Sequence, residues 1–130
     1  MIQAIPKSVT FDEFVAWYPE NSEHRYELYN GTIVEMPNPT GDHSDVTGFI
    51  SLKLAVEIDR CELPYSIPGD YLLKPIRNES GFKPDVLVLD RPALLNEPRW
   101  KRESIITMGS SVRLAVEVVS TNWRDDYYIK

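Results

Sequence analysis

Two carboxylates stand in apolar stretches, and their type and placement point to chemistry. Asp85 precedes "VLVL" in "GFKPDVLVLDR", and Glu117 lies within "LAVEVV". An ionised carboxylate beside a buried run costs free energy unless hydrogen bonds, a partner charge or a metal compensates it. If the two runs are neighbouring strands, their carboxylates converge on one point, and they repel unless a cation or strong donors lie between them. Hard oxygen ligands of this kind suit Mg²⁺ or Mn²⁺, which keep several waters and bridge to phosphate oxygens. Hydrolysis of a phosphodiester needs such a polarised phosphate and an activated water. The plainer alternatives are a solvated strand edge for Asp85 and an ion pair with Arg113 or Lys83 for Glu117.

The elements that must hold these residues are legible from pattern. The run 86–89 is short, apolar and bounded by polar residues, so it reads as a strand buried on both faces, and "SVRLAVEVV" predicts a strand over 111–119. "DYLLKPI" predicts a further strand, with a loop around 78–81 before "KPDVLVLD". Upstream, "TFDEFVAWYP" carries Thr10 and Glu13 at capping-box spacing and predicts a helix over 10–18, stopped by Pro19. "RYELYNGTIVEM" predicts strands over 25–29 and 32–36 joined by Asn30-Gly31, the pair that best accepts a tight type I′ turn. Residues 38–42 are loop. A long helix over about 42–60 follows, with Val46, Phe49, Ile50, Leu54 and Val56 as its apolar stripe, Asp42 or Ser44 as cap and His43 at its entrance. The polar, proline-broken stretch 91–105 reads as loop or short helix, and "STNWRDDYYIK" as the cap and start of a last helix.

Composition narrows the classes. The 130 residues, 42% hydrophobic, suffice for one domain with a real core. No run approaches the roughly 20 apolar residues that cross a bilayer, and "MIQAIPKSVT" has no signal-peptide core, so a cytoplasmic location with no membrane partner is expected. The single cysteine, Cys61, excludes an internal disulfide and any multi-cysteine metal site. A net charge of −6 argues against a protein that coats nucleic acid. It leaves room for an enzyme that meets phosphates through a bound cation and a few local basic groups. "EPRWKRES" is the one basic and aromatic cluster and reads as a solvated loop.

The ordered set "YELYNGTIVEMPNP", His43, "KPDVLVLD", "LAVEVVS", then Asp126 with Lys130 four residues later resembles the Uma-two family of endonucleases. That family is a branch of the PD-(D/E)xK restriction-endonuclease-like superfamily, and the resemblance covers nearly the whole chain. It implies a single α/β domain over 1–130: a mixed central sheet flanked by helices, preceded by an N-terminal helix and a β-hairpin. It further implies metal-dependent hydrolysis of DNA, with Asp85, Glu117 and Glu27 as ligands of Mg²⁺ or Mn²⁺ and Lys130 assisting the attacking water. The superfamily's lysine position, two residues after the second carboxylate, holds Val119 here, and the resemblance moves the lysine to Lys130 on the following helix. His43 and Asp126 are candidates for touching substrate or bracing a ligand from behind, although Asp126 and Lys130 also fit a surface i,i+4 ion pair. The family continues beyond residue 130 with more helix and a further strand, so the expectation is a domain incomplete at its C-terminus that pairs as a homodimer. The rival expectations are a catalytically inactive binding module of the same fold, and an acidic interaction protein presenting an open sheet edge.

Overall fold

A computed structural model describes residues 8–21 and 23–119. Helix α1 (Phe11–Trp17) starts at a capping box: the Thr10 hydroxyl accepts the Glu13 amide at 3.1 Å and the Glu13 carboxylate accepts the Thr10 amide at 3.2 Å. It buries Phe11 and Phe14. Strands β1 (Arg25–Tyr29) and β2 (Thr32–Met36) pair antiparallel over the expected residues, with Tyr29 opposite Thr32. Asn30 at φ 46° and Gly31 at φ 82° supply the two left-handed residues of the turn.

Helix α2 (Gly41–Arg60) is capped by Thr40, not by Asp42 or Ser44 as expected. Thr40 is the last extended residue, so its hydroxyl is the one placed to accept the His43 amide, at 3.2 Å. The apolar stripe is also corrected. The half-covered positions are His43, Thr47, Ile50, Ser51, Leu54 and Ile58, which fall on one side of the helix at spacings of three and four, whereas Val46, Phe49 and Val56 are exposed. The sequence stripe mixed two faces because both are apolar; the covered face runs back to His43.

The remaining strands are β3 (Tyr65–Ser66), β4 (Leu72–Leu73), β5 (Val86–Asp90), β6 (Ile105–Ile106) and β7 (Val112–Val116). Strand β5 is the centre of an antiparallel β3-β5-β7 sheet, while β4 and β6 pair in parallel. Leu28 bridges Gly81 and Leu73 bridges Phe82, so the segment entering β5 ties the hairpin to the β4-β6 pair. Helix and sheet of both orientations therefore meet along residues 81–90, as the mixed α/β expectation requires. Val86, Leu87, Val88 and Leu89 are all buried, as a two-faced strand should be. Leu87 and Leu89 pack with Tyr71 and Ile106, and a second cluster joins Phe11, Phe14, Leu28, Leu72 and Ile105.

The stretch 91–105 forms two single-turn helices, α3 (Arg91–Leu94) and α4 (Trp100–Glu103). Of its basic cluster, Arg99 pairs with Asp12 at 2.7 Å and Glu103 at 2.8 Å and Trp100 packs on the core, while Lys101 and Arg102 are exposed. Between these turns, buried Glu97 accepts the Thr107 amide and hydroxyl on Oε1 and the Met108 amide and Ser111 hydroxyl on Oε2. Burial pushes its carboxyl up, but these bonds outweigh burial and hold it below the ordinary glutamate range. Among the described residues no helix is long and apolar enough to cross a membrane. The expected last helix lies outside the described residues.

Candidate functional site

Asp85 occupies the point where the chain leaves the hairpin-β4 layer and enters β5. Its side chain is 8% exposed. One oxygen, Oδ2, accepts the Val118 amide at 2.7 Å and lies 3.3 Å from His43 Nε2. Oδ1 accepts nothing from the described residues. The Val118 contact follows from the β5-β7 register: Val86 stands opposite Val116, so the residues just before β5 meet those just after β7. The contact with His43 follows from the covered face of α2, which carries that residue at its first turn against the start of β5.

Glu117 is not within a strand and is not buried, contrary to the expectation from "AVEVV". Strand β7 ends at Val116, one residue earlier, and Glu117 is exposed. Its suggested partner Arg113 instead pairs with Asp90 at 2.8 Å. Glu117 nonetheless precedes the amide that binds Asp85, so its backbone borders that carboxylate. Glu27 moves the opposite way: the alternating "RYELY" allowed a solvent-facing side chain, yet Glu27 is 2% exposed. Its Oε2 accepts the Lys83 amide at 2.7 Å, two residues before Asp85. The Asp85 and Glu27 carboxylates and the backbone of Glu117 therefore border the crossing of residues 83–85. Lys130 and Asp126 lie outside the described residues.

Tyr71, which no motif had singled out, is buried beside the same segment. Its hydroxyl donates to the carbonyl of Pro84, the residue before Asp85. Burial pushes its phenol up to about 12, helped by the charges of Asp85, Glu117 and Asp70 and opposed by Arg25. Asp85, Glu117 and Arg25 thus act on one buried oxygen. Arg25 had a readable signal, because period two places it on the Glu27 face of β1; Tyr71, in a proline- and glycine-rich stretch, had none.

The donor set is hard oxygen, the chemistry a Mg²⁺-sized ion prefers. Among the described residues no three His, Cys, Asp or Glu side chains gather closely enough to cage a metal. A cage is not what this ion requires, since Mg²⁺ is commonly held by one or two carboxylates together with waters and substrate phosphates. Asp85, with one oxygen tied and one open, fits that mode.

Comparison with known proteins gives a fold and a family. The chain is similar to a solved structure described as a putative nuclease belonging to DUF820 from Anabaena variabilis ATCC 29413, with 19% identity and a TM-score of 0.54. The match covers 86% of this chain and 54% of that one, so the chain spans about half the length of that structure. The likeness shows the fold alone, a mixed α/β arrangement. No curated protein matches the chain. The profile of the Uma2 family, described as "Putative restriction endonuclease", matches residues 11–130. With nearly its whole length inside that match, the chain belongs to the Uma2 family of nuclease-like proteins.

Proposed function

We propose that the chain is a metal-dependent endonuclease that hydrolyses DNA phosphodiester bonds. The observation that carries this reading is Asp85: a nearly buried carboxylate with one oxygen held by the Val118 amide and faced by His43, beside Glu117. Asp85 and Glu117 would hold Mg²⁺ or Mn²⁺, with Glu27 as an additional ligand. Bound there, the ion supplies a polarised phosphate and a water acidic enough to attack it near neutral pH. His43 fixes the orientation of the Asp85 carboxylate, and Tyr71 fixes the backbone that carries it. Lys130 orients the attacking water and offsets charge on the phosphate, with Asp126 as its neighbour on the chain. Paired copies would cut both strands. A cytoplasmic setting suits the single, exposed free thiol at Cys61.

A second reading, a catalytically inactive module that keeps the fold, draws on the lack of a three-ligand group among the described residues. Metal titration separates the two. The nuclease reading expects Mn²⁺ at about 100 times its Kd to stabilise the chain by about 2.7 kcal/mol, with Asp85→Ala abolishing both the shift and Mn²⁺-dependent plasmid nicking. A melting midpoint indifferent to Mn²⁺ would leave the binding module.

A further inference from the structure

Asp85, Glu117 and Glu27 are acidic in a chain of net charge −6, so a DNA strand approaching them is repelled unless cations stand close by. Three arginines of the described residues are already committed: Arg60 to Glu57, Arg99 to Asp12 and Glu103, and Arg113 to Asp90. Two cations border the site without such commitment. Arg25 is exposed and shares the Glu27 face of β1, and it has no hydrogen-bond or ion-pair partner among the described residues. Lys83 gives its backbone amide to Glu27 and leaves its ammonium 4.2 Å over the Tyr18 ring. Its nearest carboxylate, Asp70, is 4.0 Å away with its side chain 86% exposed, a spacing and exposure that contribute little.

We propose that Arg25 and Lys83 form a clamp for the DNA phosphates that flank the scissile one, a role resting on the nuclease reading above. Arginine's planar fork matches a phosphate bidentately, and a lysine ammonium serves as a point charge. The two reach the site from different elements, Arg25 from the open end of the hairpin and Lys83 from the segment leading into Asp85. They therefore contact the backbone on the hairpin side of the carboxylates. The Tyr18 ring steadies Lys83 beneath its ammonium, and the backbone bond to Glu27 means that removing the Lys83 side chain leaves the Glu27 contact intact.

The test is the affinity of the full chain for a labelled DNA duplex in Ca²⁺, as a function of salt, with Mn²⁺ binding followed separately by calorimetry. Arg25→Ala and Lys83→Ala are each expected to weaken DNA binding by roughly tenfold and to lower the log-log salt slope by about one. Mn²⁺ affinity and melting midpoint stay at the wild-type value, and Lys83→Arg restores the slope. Variants that bind DNA like wild type, that weaken binding with an unchanged salt slope, or that lose Mn²⁺ affinity in parallel would overturn the clamp while leaving the nuclease reading standing. A wild-type chain that binds Mn²⁺ but no DNA would overturn both.

Discussion

At the scale of single residues, the molecule uses buried carboxylates in two ways. Glu97 is saturated by four donors and braces the turn before β7, whereas Asp85 has one oxygen without a partner among the described residues. The first arrangement makes for stability. Glu97→Gln turns an NH2 group toward one of the two donor pairs that need an acceptor, and should cost about 2 to 4 kcal/mol in urea unfolding at neutral pH. Because the Glu97 carboxyl sits below the ordinary range when folded, its contribution is complete above the unfolded value and is lost as pH falls through the folded one. The gap between wild type and Glu97→Gln should therefore narrow as unfolding is repeated at progressively more acid pH below about 4.3. Asp85→Asn should behave differently, with a near-normal fold and no Mn²⁺ binding by calorimetry.

At the scale of elements, the turn of the hairpin is the most demanding backbone position. Gly31 has φ 82°, and a Cβ there would approach Ser8 Cβ to 3.0 Å. Gly31→Ala should cost about 1 to 2 kcal/mol from the left-handed backbone alone, read as a lower melting midpoint with unchanged Mn²⁺ affinity. Such elements were legible because their signals are local: a capping box for α1, Asn-Gly for the hairpin, a four-residue apolar run for β5. Less local facts were not. The two-residue strands β3, β4 and β6 are too short to carry a period. Thr40 caps α2 because of where the extended chain ends, which residue type alone does not disclose. The covered face of α2 was misread because Val46, Phe49 and Val56 are as apolar as Ile50, Leu54 and Ile58. Of the site, the position of Asp85 was readable from the polar residue ahead of "VLVL". The exposure of Glu117 and the burial of Glu27 were not, since both depend on where β7 ends and which face of the hairpin meets residue 83.

At the scale of the whole molecule, the outer face of α2 carries several exposed apolar residues. Phe49 is 60% and Leu52 61% exposed, with Val46 and Val56 on the same helix and Leu114 on β7 also exposed. Apolar residues repeated along one exposed helix face mark a candidate association site. The account expects sedimentation of the full chain to show concentration-dependent pairing, shifted toward monomer by Phe49→Glu with Leu52→Glu, while Mn²⁺ binding is kept. The family, the fold and the crossing at residues 83–85 all bear on one claim: Asp85 and Glu117 together hold one divalent ion. Anomalous diffraction from a crystal of the protein soaked in Mn²⁺ tests it most directly. The account predicts a single strong peak coordinated by Asp85 Oδ1 and the Glu117 carboxylate; a soaked crystal with no peak there, or with Mn²⁺ bound elsewhere, would contradict it.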